Sequence, residues 1–109
     1  MSDVNFQDLK ENMLPTFHSL VNSLFDEDYD LFLEYHPPVP KDEFDRAVSI
    51  LKPLGKPVKL EYLTHIVKIN KIKMLCKATY SDTVEELLWD FNLVPDGGEY
   101  KLINMGFDK

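Results

Sequence analysis

The sequence predicts an α+β domain in which a long N-terminal helix and two short helices pack on a four-stranded antiparallel sheet. Three observations carry this. The hydrophobic period changes near Lys56, from steps of three and four residues to steps of two. All the helical pattern precedes all the strand pattern, the order of an α+β rather than an alternating fold. Turn signals at Asn70-Lys71, Asp82-Thr83 and Pro95-Asp96-Gly97-Gly98 separate the alternating runs, as a meander requires.

The first helix places Phe6, Leu9, Met13, Leu14, Phe17, Leu20, Val21, Leu24 and Phe25 on one broad stripe. Asn5 is its expected N-cap, with Asp8 near the positive helix end. Pro15 falls on the opposite, solvent side, where it bends a helix more readily than it ends one. Asp28 then caps a short second helix through Tyr35, and His36-Pro37-Pro38-Val39-Pro40 must leave helical geometry. A third helix starts at Lys41 or Asp42 and carries Phe44, Ala47, Val48, Ile50 and Leu51 until Pro53-Leu54-Gly55 closes it.

The expected strands cover 58–69, 72–81, 84–94 and 99–107. Simple alternation puts Ile72, Met74, Cys76, Ala78 and Tyr80 on the inward face of the second strand, and Leu87, Trp89, Phe91 and Leu93 on that of the third. The same rule makes Tyr62, Tyr100, Leu102 and Asn104 inward. It turns Leu63, His65, Val67, Leu75, Ile103, Met105 and Phe107 outward.

The 109 residues, 44% hydrophobic and 12% aromatic, suit one domain over 1–109 with a single core. No apolar run approaches the roughly 20 residues of a membrane helix, and Met1 precedes Ser2-Asp3 rather than a basic and apolar leader, so a cytoplasmic protein with no membrane partner is expected. The net charge of −7 is uneven: residues 1–45 carry eleven acids and two bases, 46–81 one acid and eight bases, 82–109 seven acids and two bases. Overall acidity argues against nucleic acid as partner, and the basic middle lacks the stacking platform or glycine loop of a phosphate site.

The order of elements and the closing Asp96-Gly97-Gly98-Glu99-Tyr100-Lys101-Leu102-Ile103 hairpin resemble the nuclear transport factor 2-like superfamily, the cystatin-like α+β cone. Gly98, Tyr100 and Leu102 match its last-hairpin pattern of glycine turn, aromatic and aliphatic. The resemblance implies a curved sheet wrapped around the long helix, a pocket at the wide end of the cone and dimerisation through the outer sheet face. It implies no single activity, because that fold hosts isomerases, dehydratases, cyclases and transport adaptors.

Enzymes of this kind place carboxylates or histidines inside the cone, and the inward set here holds no acid–base pair. His18 reads as a helix-boundary residue and His36 as a loop residue. His65 reaches the pocket only through a bulge. Asp90 and Glu61 have outward parity, Cys76 reads as a buried inert thiol, and the Asp26–Asp30 acids lack the loop spacing of a calcium site. Neither cofactor nor metal is expected. What remains for a pocket is Tyr62, Tyr80, Trp89, Tyr100 and Asn104, a lining that takes a small apolar ligand or closes as a filled core.

The leading expectation is a non-enzymatic, homodimeric binding or interaction module, paired through Leu63, Val67, Leu75, Ile103, Met105 and Phe107. The rivals are a small isomerase- or cyclase-type enzyme using His18, Tyr62 or Asn104, and an acidic inhibitor or immunity-type protein covering a basic partner.

Overall fold

The computed structural model describes residues 6–97 and 99–108, so the expected cap Asn5 and the turn residue Gly98 lie outside the described residues. Helices α1 (Phe6–Phe25), α2 (Tyr29–Tyr35) and α3 (Lys41–Leu51) come first, followed by a 3₁₀ turn over Lys52–Leu54. Strands β1 (Pro57–Val67), β2 (Ile72–Tyr80), β3 (Glu86–Asp96) and β4 (Glu99–Asp108) then pair antiparallel in chain order.

α1 runs unbroken through Pro15, which is exposed, and buries Leu9, Phe17, Leu20, Val21 and Leu24 against the sheet. Its firmest attachment is Phe17, stacked on Phe91 of β3 at a centroid distance of 3.8 Å and 8° between planes. Asp28 caps α2 as its position demands, its carboxylate accepting from the Leu31 N–H at 3.1 Å. The Tyr29 hydroxyl donates to the Val39 carbonyl and so folds the proline segment back over the helix. After α3 the chain turns through Gly55 at φ +85°, a conformation that favours glycine. Two bonds tie this corner to the end of β2: Ser81 N–H to the Lys56 carbonyl at 2.8 Å and Asp82 N–H to that of Leu54 at 2.9 Å.

β2 alternates along its whole length, and β3 buries Leu87, Trp89, Phe91 and Leu93 as alternation requires. Trp89 is 1% exposed while Asp90 stands on the opposite row, which fixes the register of β3. Strand boundaries differ from the expected ones by one or two residues, and two of the shifts have a visible cause. The β1–β2 turn is centred on Ile69-Asn70 rather than Asn70-Lys71, because Lys68 N–H bonds the Lys71 carbonyl at 2.8 Å and Val67 pairs with Ile72. β3 begins at Glu86 rather than Val84, because the Thr83 hydroxyl accepts the Glu85 N–H at 3.1 Å and holds that turn out of the ladder.

Three extra residues break the alternation: Val58 and Leu63 in β1, and Ile103 in β4, each skipped in the pairing. A bulge shifts every later side chain by one position, so faces assigned by simple parity reverse beyond it. After Leu63, His65 pairs with Met74 and Val67 with Ile72, both inner-row residues. After Ile103, Asn104 pairs with outer-row Asn92, while Met105 and Phe107 pair with Phe91 and Trp89 and pack against the core. The parity expectation is corrected accordingly: Asn104 turns out, and Val67, Met105, Phe107 and His65 turn in. Leu75 keeps its outer position. Leu63 and Ile103 are themselves the bulged residues. Ion pairs cross the outer face, with Lys77 Nζ 3.1 Å from Glu86 and 3.8 Å from Glu61, and Lys59 3.5 Å from Glu61.

Candidate functional site

Two cavities open between the helices and the inner face of the sheet. The larger, of about 320 Å³, lies under α2 and α3 and is walled by Phe32, His36, Phe44, Ala47, Trp89, Met105 and Phe107, with Glu43 and Asn104 also lining it. The smaller, of about 250 Å³, lies beside it under the second half of α3 and is lined by Val21, Val48, Leu51 and Tyr80, among others. Leu24 is a wall of both. At the smaller cavity Glu27 and Lys52 stand 3.6 Å apart as an exposed ion pair.

His36 is the polar residue that the sequence reading missed. It is 9% exposed, forms the C-cap of α2 and stacks on Phe32 at 4.6 Å. Its Nδ1 lies 2.7 Å from the Pro37 carbonyl, and a carbonyl only accepts, so Nδ1 carries the proton. That leaves Nε2 of this cavity-lining residue as the nitrogen free of a proton and able to accept. Signals for this were present in the sequence, a histidine at a helix end locked by two following prolines, but its burial depends on packing that no local pattern states.

Of the expected lining, Trp89 and Asn104 border the larger cavity and Tyr80 the smaller, whereas Tyr62 and Tyr100 line neither of these two. Asn104 is exposed, and its side-chain oxygen accepts from Asn92 Nδ2 at 2.6 Å. Asn92 also donates to Asp90 at 3.3 Å, so these three form a polar row on the outer face. The Leu63 bulge brings His65 to the inner row, where the Tyr62 hydroxyl meets its Nδ1. Burial raises the Tyr62 pKa, and the neighbouring Cys76 adds to this. His18 is exposed on α1.

Two polar atoms on the inner face have no partner. Tyr80 Oη and Trp89 Nε1 are both buried without a hydrogen bond among the described residues. Burial pushes the Tyr80 phenol up to about 12, and the Trp89 N–H, close enough to act on the phenol oxygen, pulls the other way. Cys76, cross-strand from Trp89, is also pushed up to about 12 by burial, the mark of an inert thiol. No group of three or more His, Cys, Asp or Glu among the described residues is arranged to hold a metal ion. No helix among them is long and apolar enough to cross a membrane.

No protein-family model matches the sequence, and no curated protein does. Among solved structures, a designed nuclear transport factor 2-like protein superposes with a TM-score of 0.58 at 11% identity, over 90% of this chain and 99% of that one. A SEC-C motif containing protein from Rhodopseudomonas palustris gives 0.48 at 13% identity, over 96% and 93%. An NTF2-like protein of unknown function from Cytophaga hutchinsonii gives 0.38 at 12%, over 98% and 93%. With three helices on a four-stranded antiparallel meander and the first of these superpositions spanning nearly the whole chain, the protein has the nuclear transport factor 2-like fold.

Proposed function

We propose that this chain is a binding module, without catalytic activity of its own, that takes one small, largely apolar molecule into the cavity under α2 and α3. The observation carrying this is the cavity itself: about 320 Å³ walled by four aromatic rings, those of Phe32, Phe44, Trp89 and Phe107, with His36, Glu43 and Asn104 as the few polar residues in its lining. Ligand sites have this composition, mostly apolar with few orienting polar atoms. A filled core, the alternative drawn from the sequence, leaves no such space.

The enzymatic rival loses its named residues. His18 is exposed, the Tyr62 hydroxyl is engaged by His65 and Asn104 is tied to Asn92. An acid–base role at this cavity would now fall to His36, which among the described residues has its hydrogen bond to the Pro37 carbonyl rather than to an Asp or Glu that would complete a pair. Self-association and a cytoplasmic setting belong to the same proposal. Leu63, Leu75 and Ile103, with Ile66 and Leu88, supply the outer face's apolar area, interleaved with the ion pairs of Lys59, Glu61, Lys77 and Glu86.

The test uses 2-ethylnaphthalene as probe and the fluorescence of Trp89 as readout. Saturable quenching is expected in the wild type and none in Ala47→Phe, which fills the cavity from α3. Undiminished binding by a folded Ala47→Phe would locate the site elsewhere and end this reading.

A further inference from the structure

We infer that the β1–β2 hairpin tip docks the protein on the surface of an anionic lipid bilayer. Ile69 and Val67 reach among the headgroups, and Lys68, Lys71 and Lys73 meet their negative charges. The inference goes beyond the cavity reading and does not depend on it. The Lys68 N–H bond to the Lys71 carbonyl at 2.8 Å closes the turn, so its shape is set before any partner arrives. At the apex Ile69 is fully exposed, and Val67, although on the inner row, is still 59% exposed. Aliphatic side chains held in water this way gain by entering an apolar phase.

The charge around the tip has one sign. No Asp or Glu occurs in the chain between Glu61 and Asp82. Lys41, Lys52, Lys59, Lys77 and Lys101 each face a carboxylate, whereas Lys68, Lys71 and Lys73 have none among the described residues. The net charge of −7 does not cancel this patch, because much of it sits elsewhere. Phe25 and Glu27 share the smaller cavity with Tyr80, which places the Asp26-Glu27-Asp28 cluster at the far end of β2 from the turn. At strand rise that is roughly 25 Å, several times the screening length of about 8 Å. The β3–β4 hairpin points the same way as the tip and carries Asp96 and Glu99, with Asp96 facing Lys101 at 3.9 Å. The docking edge is therefore the β1–β2 corner rather than the whole end of the sheet.

A bilayer suits this corner better than a protein does. A stable protein interface needs about 800 Å² from each partner, which a two-residue turn does not supply. Attachment to lipid instead accumulates residue by residue, from each apolar group inserted and each lysine brought to the surface. Lysine stems lie along the apolar residues while their charged ends reach the headgroups. Surface contact needs no spanning helix, and here the inference departs from the sequence expectation of no membrane partner.

Flotation of the full chain with vesicles tests this. Binding is expected to vesicles of phosphatidylcholine with about 30% phosphatidylserine, little to phosphatidylcholine alone, and less at about 0.5 M salt than at about 0.1 M. Lys68→Gln with Lys71→Gln should weaken it about 25-fold, fivefold for each charge, and Ile69→Ser about tenfold. The sole native cysteine, Cys76, is buried, so Ile69→Cys takes an environment-sensitive dye at the tip alone. Its emission should shift to the blue on the charged vesicles.

No flotation with the charged vesicles at the lower salt overturns the inference, as does an unshifted dye on bound protein. Weakening by the lysine changes but none by Ile69→Ser would show charge attraction alone, the behaviour toward an acidic protein or a nucleic acid, and would also overturn it. Should the lysine variant not fold, the dye and the comparison of vesicles decide.

Discussion

Cys76→Ala should flatten the alkaline arm of the stability curve. The thiol is fully buried at the centre of β2, and burial raises its pKa from 9.0 to about 12. The folded state therefore favours the protonated thiol. The stability this contributes is complete below about pH 9, where the unfolded thiol is also protonated, and is lost as pH rises from there towards 12. At about pH 10.5 the unfolded thiol is some one and a half pH units past its midpoint while the folded one remains neutral, a difference of about 2 kcal/mol. Relaxation of the surroundings reduces this to about 1–2 kcal/mol. Removing the sulfur costs about 1 kcal/mol at neutral pH through the small void it leaves. Urea unfolding of both proteins at about pH 7.5 and pH 10.5 measures the effect, and the lysines and tyrosines common to both cancel in the comparison. Cys76→Ala should start about 1 kcal/mol lower and draw level with or overtake the wild type at the higher pH. Parallel losses in the two proteins would show that the thiol ionises in the folded state and that the inner face is wetter than its geometry implies.

Phe17→Ala should destabilise the domain by about 3–5 kcal/mol in urea titration, because it removes a fully buried ring and its stack on Phe91; a loss under about 1.5 kcal/mol would mean α1 is not anchored there. Gly55→Ala should lower the melting temperature, since φ is +85° and the new Cβ would overlap Ser81 Oγ and Asp82 Cγ; an unchanged melting temperature would show that this corner rearranges freely. Sedimentation at micromolar concentration should give twice the 12.7 kDa chain mass if the outer face pairs, and Leu75→Glu should then return the monomer. A wild type that sediments as a monomer removes self-association from the proposal.

The parts of this structure legible in the sequence are those set by local chemistry. Asp28 announces α2, the position of Pro15 opposite the stripe allows α1 to continue, and the strict alternation of Ile72 to Tyr80 fixes the inner face of β2. The illegible parts arise from insertions of a single residue. Nothing about Leu63 or Ile103 marks it as unpaired, since both are ordinary strand formers, yet each reverses the faces of the residues after it. Simple parity therefore turns the Asn104 side chain inward when it belongs to the outer row, although the residue still borders the larger cavity, and sends Met105 and Phe107 to the outer face when they belong to the cavity wall. His36 escapes for a different reason: its burial arises from the fold-back of the proline segment and its stack on Phe32, neither visible in a periodicity.

All three bulges fall on β1 and β4, the two border strands of an open sheet, and neither β2 nor β3 contains one. A straight border offers a neighbouring chain a regular row of free amides and carbonyls, the starting template for ribbons that grow without limit. Here each border is kinked, at two places along β1 and at one along β4. A foreign strand laid against either finds its register interrupted after a few residues. The irregularities that shape the cavity also keep the sheet at four strands, and an engineer who straightened them for stability would be removing a safeguard against fibre formation.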